Sequence, residues 1–335
     1  MANSANRQPK HIKPKRWLID TNVWSSVADV GLGLELAKAA KRRQIEILAA
    51  PSVLYELLRT PNESVRKRFV DVITLPYWKR LMPETFSETK EILAEIHRLR
   101  PQWLRKQPDR RLYMRIFHDW RSRNAGMWQR AKDTPSKEAD FINQLGGAEL
   151  RRARDEARQS RKEVDEKDIK KPGPLDKVYS RPLVPLPGWK GDRIASWRVH
   201  TLGSVTPCLT DPEHPYTTWL DAEVDVGRMI SDSAGWVSFW FYDVDVHAVP
   251  RCWLRWAFDC LQSFRRVTDG TPCDTQLATY LLEADVVLSG DWGFIDRIQE
   301  CRKYAPCALP IAQRLSRQRP QNAYDLIKCI EQGCS

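Results

Sequence analysis

No run of about 20 uninterrupted apolar residues, the length a helix needs to span a bilayer, occurs in this chain. The most apolar stretch, residues 235–258, is broken by Asp243, Asp245, His247, Arg251 and Arg255, so no transmembrane helix is expected. Residues 1–16 lack an apolar segment and carry Lys10, Lys13, Lys15 and Arg16 instead, so no secretory signal is expected either. Both absences point to a cytoplasmic protein with no membrane partner. Cysteine is absent before Cys208, and all eight cysteines follow from there. None forms a Cys-x-x-Cys pair and none has a histidine at zinc-finger spacing, so the sequence gives no support for a zinc site. Reduced, mostly buried thiols are the expected state. No internal repeat is found.

Positive charge is present in excess. The 335 residues hold 54 Lys and Arg against 43 Asp and Glu, a net charge of +11. Such a balance speaks of partners and not of fold; it suits a polyanion, of which nucleic acid is the commonest. The plain alternative is a merely basic soluble protein. Residues 98–171 carry most of the excess, with 21 Lys and Arg against 12 Asp and Glu. There the charge is mixed with rings: Trp103, Arg105, Arg110, Arg111, Tyr113, Arg115, Trp120, Arg121, Arg123, Trp128 and Arg130. Two readings compete. Cations contact phosphates while rings stack on unpaired bases, or a helical pair buries the rings and leaves the arginines in water.

Hydrophobic patterning alternates between short strands and helices at both ends of the chain. Trp17-Leu18-Ile19 reads as a buried strand, residues 34–43 as a helix, Ile45 to Ala49 as a second strand, and Pro51 opens another helix. Val72 to Leu75 reads as a third strand. Residues 84–100 have helical spacing, and residues 148–168 form a charged helix with almost no apolar face. Lys171-Pro172-Gly173-Pro174 is a break. Within residues 195–250, Ser196 to His200 and Val237 to Phe241 read as strands. Residues 251–266 and 274–283 read as helices, Val286 to Ser289 as a strand, residues 295–303 as a helix and Ala308 to Ile311 as a last strand. The pattern predicts an α/β unit with a parallel sheet, interrupted by a large α+β insertion. The expected divisions are a flexible basic tail over 1–15, the sheet domain's N-terminal half over 16–80, a basic, aromatic-containing insertion over 81–249, and the C-terminal half over 250–335.

Functional groups in open parallel sheets gather beyond the carboxyl ends of the strands. Asp20 follows the first strand directly. Asp291 lies two residues beyond Ser289, Asp274 opens the helix before that strand, and Glu56 lies on the helix after the second strand. These four acids are distant in sequence yet placed to converge. Phosphodiester hydrolysis needs charge neutralised on phosphoryl oxygens and an activated water. A hard divalent cation does both and takes oxygen ligands. Asn22 holds Asp20 or a water, or simply caps a helix; Ser289 orients a ligand or only packs a strand end. A helix-face glutamate such as Glu56 is usually solvated, so it is the least secure of the four.

These segments resemble the PIN-domain family. Leu18-Ile19-Asp20-Thr21-Asn22 looks like its opening motif, Pro51-Ser52-Val53-Leu54-Tyr55-Glu56-Leu57 like its second, and Asp274-Thr275-Gln276-Leu277-Ala278-Thr279 and Leu288-Ser289-Gly290-Asp291-Trp292-Gly293-Phe294 like its third and fourth. The 17-residue separation of Asp274 and Asp291 fits the family. The resemblance covers residues 16–80 and 250–315. It implies a three-layer α/β/α fold and a Mg²⁺- or Mn²⁺-dependent ribonuclease, with Asp20, Glu56, Asp274 and Asp291 as catalytic metal ligands; beside the basic, ring-bearing insertion, the expected substrate is single-stranded RNA. The insertion departs from compact members. It supplies substrate grip, with Arg105, Arg110, Arg111, Arg115, Arg121 and Arg123 as candidates, or a surface for a partner or inhibitor protein. Alternatives are a DNA nuclease of the same chemistry and a catalytically silent scaffold. Asp243, Asp245 and His247, and likewise Asp221, Glu223 and Asp225, alternate as on a strand face. They read as solvated faces, as a second metal site, or as contacts to the basic insertion.

Overall fold

A computed structural model describes residues 13–122, 124–166, 172–181, 190–267 and 271–333. Arg123 and most of the basic tail lie outside these residues. β1 (Lys15–Ile19) and β2 (Ile45–Ala49) pair in parallel, Lys15 opposite Ile45. Parallel neighbours need a crossover, and α1 (Thr21–Asp29) with α2 (Gly33–Arg42) supplies it. Trp17, Leu18, Ile19, Ile47, Leu48 and Ala49 are all buried, so these strands carry unbroken apolar runs where a one-sided strand would alternate. α3 (Pro51–Leu58) starts on proline, whose missing N–H costs nothing at the first helical position.

α4 (Glu63–Ile73) occupies the segment read as a third strand. Phe69, Val70 and Ile73 are buried at helical spacing, and the Asn62 side chain accepts from Val65 N at 3.1 Å to cap the first turn. The third strand is instead β3 (Lys79–Arg80), two polar residues paired with Leu48 and Ala49. Nothing so short and charged carries a hydrophobic signal.

The following segment is helical where the sequence suggested mixed structure. It contains α5 (Glu84–Leu99), α6 (Arg111–Arg121), α7 (Met127–Asp133) and α8 (Pro135–Glu166). A two-residue antiparallel pair comes next, β4 (Tyr179–Ser180) with β5 (Ile194–Ala195). α9 (Ser196–Thr210), α10 (Pro215–Leu220), α11 (Val226–Ser231), α12 (Ser233–Ser238) and a π-helical turn over Phe239–Asp243 complete it. Ser196 to His200 and Val237 to Phe241 are therefore helical, not extended. Trp236, Phe239, Trp240 and Phe241 are buried together, so tertiary packing on all sides replaces the periodicity that marks a helix. Neither run of alternating acids forms a strand face. Arg105 pairs with Asp221, Arg110 with Glu223 and Arg100 with Asp243, while the Asp225 side chain caps α11. These acids contact basic residues of the insertion.

The chain returns to the sheet through α13 (Pro250–Gln262), α14 (Thr271–Thr279) and a 3₁₀ turn, then β6 (Val286–Ser289), α15 (Trp292–Cys301), β7 (Ile311–Arg314) and α16 (Gln321–Gln332). β7 lies three residues later than the apolar signal at Ala308 to Ile311. The five-stranded sheet is entirely parallel, in the order β3-β2-β1-β6-β7. With its central strands buried, this arrangement fits a three-layer α/β/α fold. Arg16 clamps the amino edge: its N–H donates to Asp285 Oδ2 at 2.8 Å and its guanidinium to Oδ1 at 3.0 Å. Cys329 is disulfide-bonded, against the expectation of reduced thiols, while Cys252, Cys260, Cys273, Cys301 and Cys307 are free thiols, as expected. No helix among the described residues is long and apolar enough to cross a membrane.

Candidate active site at the carboxyl edge of the sheet

From β1 the chain runs outward to β2 and β3, then returns to the other side of β1 at β6. The order reverses between β1 and β6, and the crevice outside their carboxyl ends is the place such sheets bind ligands. Asp20 N donates to Leu288 O at 3.1 Å, extending the ladder to the site itself. Asp20 is 6% exposed. Its carboxylate accepts from Thr21 N at 2.6 Å, from the Ser289 hydroxyl and from the Asn22 amide. Asp20 thus caps α1 and occupies the site at once.

Asp291 mirrors it on the neighbouring strand. It caps α15, Oδ1 accepting from Gly293 N at 2.7 Å and Phe294 N at 3.3 Å, and its own N–H donates to Ser289 Oγ at 2.8 Å. The amino ends of two helices therefore face the crevice, where their partial positive charge favours anions. Asn22 joins the strands: Oδ1 accepts from Gly290 N at 3.0 Å while Nδ2 reaches Ser289 Oγ at 3.2 Å. Asn22 and Ser289 both donate to the Asp20 carboxylate; for Asn22 this is one of the expected arrangements, whereas Ser289 was expected to orient a ligand or to pack a strand end.

Glu56 and Asp274 approach from the helices. Thr21 Oγ1 donates to Glu56 Oε2 at 2.6 Å. Asp274 lies in the first turn of α14 and pairs with Arg297 at 2.6 Å. Electrostatics ties the four together. Burial raises the Asp274 pKa well above the carboxylate range; Arg297 opposes this, while Asp20, Asp291 and Glu56 add to it by repulsion. Burial also raises Asp20, against its hydrogen bonds from Ser289 and Thr21, with Asp291 repelling it. Glu56 is pushed up to about 7, first by burial and then by Asp20, against the Thr21 hydrogen bond and the charge of Arg59. Shifts of this kind, from desolvation plus specific like charges, occur at functional sites and in structural ion-pair clusters alike, so the placement of these acids in the crevice has to carry the assignment.

Three contributors escaped the sequence reading. Thr21 sits inside the quoted motif yet reads as filler. Arg297 is 7% exposed and lies against Phe258 and Phe294, its guanidinium 5.9 Å from each ring. An arginine on the apolar stripe Phe294, Ile298, Cys301 was the available signal. Arg59 lies beside Cys273, its Nη1 3.9 Å from Sγ. That thiol is pushed up to about 12, chiefly by burial and then by Glu56, which removes it as a nucleophile at neutral pH.

The insertion arginines fare differently. Arg105, Arg110 and Arg111 pair with Asp221, Glu223 and Asp109. Arg115 and Arg121 are exposed, Arg121 lying 5.4 Å from the Phe117 ring centre. Trp103, Trp120 and Trp128 are buried and offer no face to a base.

Four hard oxygen donors that repel one another suit a divalent cation, because binding one removes the repulsion. Among the described residues, no three His, Cys, Asp or Glu side chains are already drawn together at ligand geometry, and Arg297 holds Asp274. Comparison with protein-family models, curated proteins and solved structures returned no match.

Proposed function

We propose that this chain is a metal-dependent endonuclease of PIN-like site chemistry that hydrolyses RNA, with single-stranded RNA as its substrate. One observation carries the reading. Asp20 and Asp291 lie at the switch point of a parallel sheet, Glu56 accepts from Thr21 beside Asp20, Asp274 is repelled by all three, and among the described residues only Asp274 has an ion-pair partner. Asp20, Glu56, Asp274 and Asp291 would hold one or two Mg²⁺ or Mn²⁺ ions. Such an ion, when bound, neutralises phosphoryl oxygens and lowers the pKa of a water. The chain's own residues do the rest. Ser289 and Asn22 fix Asp20, Thr21 fixes Glu56, and backbone N–H groups fix Asp291. In the metal-free chain burial pushes Glu56 up to about 7, and a bound cation would hold it in the charged form.

A second reading has its own support. Arg297 supplies positive charge to Asp274 where a cation would, which suits a catalytically silent scaffold for nucleic acid or protein. Labelled single-stranded RNA and the matching DNA, incubated with Mg²⁺ or Mn²⁺, separate the readings. Cleavage of RNA is expected, reduced by about 10²–10³-fold in Asp20→Asn and Asp291→Asn, the range for losing one charge-stabilising group. Cleavage persisting in both variants sinks the site; cleavage of DNA alone changes the substrate; binding without cleavage favours the scaffold.

A further inference from the structure

Trp292 follows Asp291 directly and is 36% exposed, the one exposed tryptophan among the described residues. Its Nε1 donates to Leu315 O at 3.0 Å, which pins the ring against the loop leaving β7. Two guanidiniums from that strand and loop lie over the ring, Arg314 at 5.1 Å and Arg317 at 4.2 Å from its centre. Cation–ring contacts at this range hold the side chains in place.

Two glycines locate this group relative to the carboxylates. A Cβ on Gly290 would come within 2.8 Å of Ser316 O and 3.1 Å of Asn22 Oδ1. The loop carrying Arg317 therefore lies against the site. A Cβ on Gly293 would meet Arg265 Nη1 at 2.5 Å and Asp291 Oδ1 at 3.1 Å, so a third guanidinium flanks Asp291. Arg265 and Arg314 share one acid, Asp296, and Arg317 has no carboxylate partner among the described residues. Three guanidiniums against Asp296, with Asp291 at the border, leave a positive rim beside a negative crevice.

We propose that this rim, formed by Trp292, Arg314, Arg317 and Arg265, is the docking surface for the phosphate backbone of a nucleic-acid strand. The guanidinium fork matches phosphate oxygens in two-point contacts, and a ring that already orients it lowers the ordering cost of each contact. A strand held here passes over Asp291 into the crevice. The charge separation matters: a polyanion cannot be drawn to four carboxylates, so its attraction must come from beside them. The insertion differs in its rings more than in its charge: Arg105, Arg110 and Arg111 face carboxylates and Arg115 and Arg121 are exposed, but Trp103, Trp120 and Trp128 are buried and offer no stacking face beside them. The proposal rests on the nuclease reading for its purpose but not for its test.

The test is binding of a fluorescently labelled 15-nucleotide RNA to the full chain in EDTA, followed by anisotropy across a salt series. Arg317 is exposed, so Arg317→Ala should fold normally. It should weaken binding severalfold for every sequence and lower the slope of log K against log salt by about one. Arg110→Ala with Arg111→Ala should stay within about twofold of the parent if the rim carries the contact energy. Unchanged affinity and slope in Arg317→Ala overturns the proposal, as does failure of the parent to bind. If rim variants lose binding but no divalent ion supports cleavage, the rim stands and the nuclease reading falls. If the parent cleaves and Arg317→Ala binds like it, the reverse holds.

Discussion

At the junction of α5 with α13, two arginines serve three acids and a tyrosine hydroxyl serves a fourth. Glu88 accepts from Arg255 at 2.7 Å, Glu91 pairs with Arg251, Arg251 also reaches Glu283 at 2.6 Å, and the Tyr280 hydroxyl donates to Glu84 at 3.2 Å. At the carboxyl ends of β1 and β6 the acids are equally crowded, but Asp20, Glu56 and Asp291 are held by hydroxyls, amides and backbone N–H groups. Burial raises pKa values in both places, Glu91 and Glu56 alike to about 7. The shift alone therefore does not tell a structural cluster from a functional one. The partners do. A guanidinium neutralises a carboxylate permanently, whereas a neutral donor orients it and leaves its charge for something else.

The comparison breaks most readily at Glu88. Glu88→Ala leaves Arg255 without its partner in a largely buried setting and should cost about 3 kcal/mol or more, read as a lower urea midpoint. Glu56→Gln keeps an acceptor for Thr21 and removes repulsion with Asp20, so the metal-free protein should hold or gain stability. Equal losses in both would make the switch-point cluster merely structural.

Next in size is the response to cations. Mg²⁺ or Mn²⁺ at about 100 times its dissociation constant should stabilise the parent by about 2.7 kcal/mol, since an ion that binds only the folded state shifts unfolding by mass action. Thermal melts should show the shift lost in Asp20→Asn and kept in Glu91→Gln. A shift in Asp20→Asn equal to the parent's would place the cation elsewhere.

The third comparison is pH dependence. Glu56 and Glu91 have folded pKa values of about 7, raised from the ordinary 4.5. In that interval the folded chain holds protons the unfolded chain has released, so stability must fall as pH rises from about 4.5 through about 7. In EDTA, Glu56→Gln and Glu91→Gln should each flatten this decline. With saturating cation only the Glu91 part should remain, because an ion keeps Glu56 charged. Denaturant titrations at pH 5 and pH 8 measure it, and a cation that leaves both parts intact counts against Glu56 as a ligand.

The parts of the fold legible in sequence are those where local pattern and burial agree. β1, β2 and β6 are buried on both faces and read as apolar runs. Proline opens α3, and the aspartates that follow β1 and β6, Asp20 and Asp291, are helix caps. The pattern misled where burial lacks a single face. The aromatic run from Trp236 to Phe241 is inward on every side, so its helical turns carry no 3.6-residue signal. β3 and β7 were missed or shifted because edge strands with Lys79, Arg80, Gln313 and Arg314 follow no apolar rule.

The same division holds for the candidate site. Asp20 and Asp291 are determined by their sequence, because a residue that ends a buried strand and starts a helix must lie at the sheet's carboxyl edge. Strand order, and with it the convergence of these two with Glu56 and Asp274, follows from pairing across more than 260 residues, as between Trp17 and Val286. The partners of each acid were decided only by packing. Arg297 comes to Asp274 from the next helix, Arg255 to Glu88 from across the insertion, and Arg317 to the rim on the loop after the last strand. Charge can be counted along a chain, but neutralisation acts over a few ångströms, and only the folded chain sets those distances.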